Sequence, residues 1–146
     1  MTTKKTPVEY AEVDLKVHET FHDAWQVNEA HSAAVMRRVT QMQKLRECRD
    51  DIEYREHEIV TDLRGKYMDA SEAALTRAVK LAFKDDTHLQ SLSRMERVMQ
   101  GEIDGTDAEI DSLKSTLKLL TARLSELGGL LNFYAAAKAA AATRHS

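Results

Sequence analysis

Cysteine occurs once in this chain, at Cys48, so no disulfide can form within it and a reducing compartment is expected. Proline also occurs once and glycine five times in 146 residues, which leaves few places for the chain to turn. Aromatic residues make up only 5%. No stretch alternates polar and apolar residues as a half-buried strand would. Neither sign of charge dominates: 21 lysines and arginines stand against 24 acidic residues, a net charge of -3. No global basic field therefore draws the chain to nucleic acid or to an anionic membrane. The longest apolar stretch, Leu130 to Ala142, is interrupted by Asn132 and Lys138 and is too short to span a bilayer. The opening MTTKKTPVEY has no apolar segment behind its lysines, so no secretory leader is expected. These absences together predict a soluble, cytoplasmic protein with no membrane partner.

What remains is a chain rich in Ala, Leu, Glu, Lys and Arg, with 31% charged residues, a mixture suited to long helices and coiled coils. Its length is most simply one domain, residues 1–146. Thr6-Pro7-Val8-Glu9 reads as a helix start, with Thr6 as cap, proline preorganised at the first helical position, and Glu9 reaching back. Apolar residues then recur at three-and-four spacing: Val13, Val17, Phe21, Ala24, Val27, Val35, Val39, Met42, Leu45, Ile52, Ile59 and Leu63. The spacing predicts a first helix over about 7–64, about 85 Å long at 1.5 Å per residue, which needs a partner along its length. The run RECRDDIEYREHE (46–58) reads as a solvated face tied by i,i+4 pairs such as Arg46–Asp50 and Asp51–Arg55. Gly65 weakens the helix, and Asp69 or Ser71 can start a shorter one over about 70–84. Lys84-Asp85-Asp86 reads as a turn, and Thr87 as the cap of a last helix over about 88–138.

That last helix carries the most specific signal. With Ile103, Ile110, Leu117, Leu124 and Leu131 at heptad position a, position d holds Met99, Thr106, Leu113, Leu120, Leu127 and Tyr134. Only Thr106 is polar in that set. About five unbroken heptads meet the threshold for a coiled coil. Gly101 and Gly105 lie off the seam, and Gly128-Gly129 leave its phase intact. The fold expected is all-α: a long antiparallel helical hairpin or coiled-coil bundle with a short middle helix. The Ala-rich tail has no packing face and is expected to fray.

The one catalytic pattern is His18-Glu19-Thr20-Phe21-His22, which spells the zinc-protease signature H-E-x-x-H. A zinc protease also needs a third protein ligand, and the metzincin extension would put glycine at position 25 and histidine at 28, where Trp25 and Asn28 stand. Glu29 shares the helix face but lies about 16 Å along the axis from His18. A di-iron bundle would want a second Glu-x-x-His pair, and the nearest approximation is Asp85-Asp86-Thr87-His88. His18 and His22 are thus the candidate metal ligands of a low-ranked alternative. No phosphate loop, nucleophile elbow or Cys-x-x-Cys is present, and no cofactor and no catalysis are expected.

Two binding surfaces are candidates. Arg37, Arg38, Lys44 and Arg46 concentrate on the first helix and could follow a phosphate backbone, without stacking aromatics between them. Phe21 and Trp25 near one end, and Leu130, Phe133 and Tyr134 near the other, should come together if the last helix runs antiparallel to the first. They then form either an end cap or a patch for a partner protein. The seam from Met99 to Leu127 offers more apolar surface than the charged first helix can cover, which predicts a homo-oligomer, most simply a dimer.

At TARLSELGGLLNFYAAAK (121–138), with ASEAAL (70–75) before it, the chain resembles small helical accessory proteins of tailed bacteriophages. The likeness covers the C-terminal half and carries no catalytic motif. It implies an accessory role: a scaffold, an inhibitor of a host machine, or a helper in DNA metabolism. The function expected is a non-enzymatic coiled coil that binds other proteins, with a nucleic-acid-associated accessory protein as the alternative.

Overall fold

A computed structural model describes residues 7–144. Three helices follow one another: α1 (Pro7–Lys66), α2 (Glu72–Asp85) and α3 (Thr87–Thr143). Among the described residues there is no strand and no positive φ. Thr6, expected to cap α1, lies outside the described residues. Gly65 sits one residue inside the end of α1, and the chain turns only after Lys66. Ser71, with extended backbone, starts α2 by accepting a hydrogen bond from the Ala74 amide at 3.2 Å. The α2–α3 corner is tighter than the sequence suggested. Asp86 ends α2, its amide bonding the Ala82 carbonyl, and its carboxylate accepts from the Leu89 amide at 2.9 Å. The cap of α3 is therefore Asp86 and not Thr87, because a carboxylate there serves the bare amides of the new first turn. The Ala-rich tail, expected to fray, is helical through Thr143, in keeping with the propensity of alanine.

The chain forms two compact units, Met1–Val35 with Glu109–Ser146, and Met36–Ala108. In each unit a stretch of α1 packs antiparallel on a stretch of α3. In the second unit Leu45, Cys48 and Ile59 of α1 are buried, as are Leu89, Leu92, Ile103 and Thr106 of α3. Arg38 pairs with Asp107, Arg49 with Glu96 at 3.5 Å, and Arg55 with Asp86 at 2.8 Å. Rising numbers on α1 meet falling numbers on α3, so a slip of one heptad would break all three pairs at once. Such partly exposed pairs add little stability each, and their value here is register. In the first unit the buried residues are Ala34, Ile110 and Leu127.

The burial pattern resolves the apolar spacing of α1 into a heptad, on which Val13, Val17, Ala24, Val27, Leu45, Ile52 and Ile59 of the expected stripe fall. With Leu45, Ile52 and Ile59 at a, the seam runs back through Cys48 and Gln41 at d and Arg38 at a. In the first unit it continues as Ala34, His31, Val27, Ala24, Thr20, Val17 and Val13, all at least half-buried. Phe21, Val35 and Val39, which the sequence placed on the apolar stripe, are 60%, 38% and 58% exposed. The reason is a choice of step. After Val17 the next inward position is three residues on, at Thr20, while the apolar Phe21 is four on and falls at e, beside the seam. On α3 the seam starts earlier than expected, at Leu89 and Leu92, because Glu96 at a is matched by Arg49.

Candidate interaction surface

The α3 seam is spent inside the chain. Met99, Leu113, Leu117, Leu120 and Leu124 are half-buried, and Ile103, Ile110 and Leu127 are 1%, 8% and 3% exposed, all turned toward α1 of the same chain. The expected oligomer seam is thus an intramolecular one. It is thinly covered in the first unit, where the opposite positions on α1 are the small residues Thr20, Ala24 and Ala34 and the polar His31. The buried Nε2 of His31 has no hydrogen-bond partner there, nor has the buried Oε1 of Gln41 in the second unit. Cys48 is buried, its thiol donating to the Leu92 carbonyl at 3.5 Å. Burial first, and then the nearby Glu96 and Asp51 carboxylates, push that thiol above its ordinary pKa, which disfavours the thiolate.

The first unit has two flanks. On one, Asp23, Gln26 and Ala30 of α1 and Leu113, Thr116 and Leu120 of α3 border an open groove of about 390 Å³ with Val27 at its floor. Asp23, Ala30 and Thr116 occupy position g, so this is the g side, and Leu130 (40% exposed) and Phe133 (59%) belong to it at g and c of α3. On the other side, positions e and b of α1 hold Phe21, Trp25, Asn28, Ser32 and Val35, every one exposed. The indole N–H of Trp25 donates to Glu29 Oε1 at 3.0 Å along its own helix, which leaves the ring itself uncovered at 56% exposure.

The aromatic groups expected to meet do not. Tyr134 packs edge-on against Tyr10 at 6.2 Å, and Phe133 against Tyr134 at 6.0 Å. Register is the cause. It sets Tyr10 opposite Tyr134, while Phe21 is eleven residues further along α1, about 16 Å at the helical rise, and on the other flank. Tyr10 escaped the sequence reading because an isolated aromatic near a helix start carries no periodic signal.

His18 and His22 are both exposed on α1, and His18 Nε2 lies 3.6 Å from Asp14. Among the described residues no three His, Cys, Asp or Glu side chains gather as an ion site would need. Of the four basic candidates, Arg38 stands at seam position a and is paired with Asp107. Arg37 and Lys44 share position g, whereas Arg46 at b points to the opposite flank. The helix does not bring them onto one face. The run at 46–58 is tied across helices, Arg55 reaching Asp86 at the cap of α3 and Glu58 on its own helix at 3.1 Å. No described helix is long and apolar enough to cross a membrane.

Fold and surface define an antiparallel coiled-coil hairpin with an uncovered apolar flank. Comparison of the chain with known protein families, with curated proteins and with solved structures gave no match.

Proposed function

We propose that this chain is a non-enzymatic coiled-coil protein that works by binding other proteins, as a scaffold, adaptor or inhibitor, and that it self-associates as a two-fold dimer. One observation carries the reading. Sixteen large apolar residues are exposed among the described ones, and in the first unit they include Phe21, Trp25 and Val35 of α1 and Leu119, Leu130 and Phe133 of α3, apolar surface of the kind that marks protein-binding sites. An accessory role of the phage type suits a small binding protein of this architecture. Sedimentation equilibrium of the full chain at tens of micromolar should give twice the mass of 16.5 kDa. A single monomeric species across that range would remove the proposal.

A further inference from the structure

We infer that a groove at the corner of α2 and α3 binds the sugar–phosphate backbone of a nucleic acid through Lys84, Arg94 and Arg97, with Arg77 and Lys80 extending the contact along α2. The site is separate from the apolar surface of the first unit and does not rest on self-association.

The cations are left unpaired by the way the helices use their acids. Between Glu72 and Arg97 the chain holds five cations and four carboxylates. Two of the four are taken by α1: Asp86 pairs with Arg55 at 2.8 Å and Glu96 with Arg49 at 3.5 Å. Glu72 stands about 18 Å along the helix from Lys84, and Asp85 is turned about 100° around the axis from it. Arg77, Lys80, Lys84, Arg94 and Arg97 are all exposed, and none of them forms an ion pair among the described residues. Arg97 Nε donates to the Ser93 carbonyl at 3.5 Å, which leaves most of its guanidinium donors unused.

The fold brings these charges together. Leu75, Ala78, Val79, Ala82 and Phe83 of α2 are half-buried, and Arg77, Lys80 and Lys84, at steps of three and four, share the opposite face. Lys84 of α2 and Arg94 and Arg97 of α3 line one open groove of about 360 Å³, with Gln90 and Ser93 beside them and Glu56 of α1 as its single carboxylate. Three cations against one carboxylate call for a polyanion, and the rest of the groove says which. A protein partner needs an apolar centre that it can empty of water. The apolar lining here, Phe83 and Leu89, is already at least half-buried. A phosphate backbone needs cations and neutral donors. The Ser93 hydroxyl is one such donor, and the Gln90 amide, which bonds the Lys84 carbonyl at 2.7 Å, has a second hydrogen to give.

Fluorescence polarisation of the full chain with a labelled DNA duplex, and with one of its strands alone, tests the inference across a salt series. Five phosphate contacts on a duplex give a slope of about -4.5 in log K against log salt, or binding about 500-fold weaker at about 200 mM than at about 50 mM. The single strand should give about -3.5, and the tighter of the two arms identifies the form of nucleic acid bound. Lys84→Gln/Arg94→Gln/Arg97→Gln should flatten the duplex slope to about -2 and the salt loss to about 10-fold, with helicity by circular dichroism unchanged. Arg97→Gln alone should remove about one unit of slope. Lys114→Gln/Lys118→Gln/Lys138→Gln removes the same charge from exposed positions of the first unit and should behave like wild type. Absence of binding to both DNA forms at about 50 mM salt overturns the inference. Equal losses in the two triple variants, or none in the first, also overturn it. So does competition by poly-L-glutamate as strong as by unlabelled DNA, since the groove would then take acidic protein segments.

Discussion

Asp86 shows how much one side chain can hold. It ends α2, caps α3 through the Leu89 amide, and receives two hydrogen bonds from Arg55 at 2.8 and 3.2 Å. The Arg55 bonds first, and then the Leu89 amide, hold its carboxyl down at about 2. A carboxylate depressed in the folded state stabilises the fold fully above its unfolded value, near about 4, and loses that contribution as pH falls through the folded value. The window for this clasp is therefore about pH 4 down to about pH 2. Asp86→Asn keeps a capping oxygen and removes the charge. The thermal midpoint of the wild type should exceed that of the variant by a constant margin above about pH 5, and the margin should close between about pH 4 and about pH 2. A margin independent of pH would mean that the carboxyl is not depressed in the folded chain and that cap geometry alone separates the two proteins. Sequence pointed to this corner but chose Thr87, because capping-box spacing cannot weigh an arginine some thirty residues away.

At the scale of the helices, α3 was legible throughout and α1 in large part: Val13, Val17, Ala24, Val27, Leu45, Ile52 and Ile59 of the expected stripe lie on its seam, and the misplaced residues have a physical reason. Nearly every inward position of α3 is a leucine or isoleucine, so hydrophobicity and geometry report the same stripe. Large side chains on one helix need small ones opposite them if the axes are to approach. Between its apolar positions the α1 seam therefore runs through the small Thr20, Ala34 and Cys48 and the polar His31, Arg38, Gln41 and Arg55, none of which the apolar spacing marks. Three of the expected apolar residues, Phe21, Val35 and Val39, instead form a flank. The candidate surface was half legible on the same account: Phe21 and Trp25 were singled out by type, but their side of the helix follows only from register. The distinction between seam and flank is measurable. Ile103→Ala, at 1% exposure, should cost about 2–5 kcal/mol in denaturant unfolding. Leu119→Ala, at 73%, should change stability by less than about 0.5 kcal/mol. Equal costs would contradict the packing of α3 on α1.

For the whole molecule, the proposed dimer would couple self-association to folding, and that coupling has a quantitative signature. Two chains that fold and pair in one step unfold with a midpoint that rises with concentration, since dilution favours the separated, unfolded chains. A hundredfold rise in concentration adds about 2.7 kcal/mol per dimer. Unfolding entropies average about 2.1 cal/mol/K per residue, so two chains of 146 residues share roughly 0.6 kcal/mol/K. The quotient is an upward shift of about 4 °C. Calorimetry at two such concentrations should find it for the wild type. A midpoint of the wild type that ignores concentration would mean that the hairpin closes its own seam well enough to stand alone, and the exposed flank of α1 would then need another explanation than a second copy of itself.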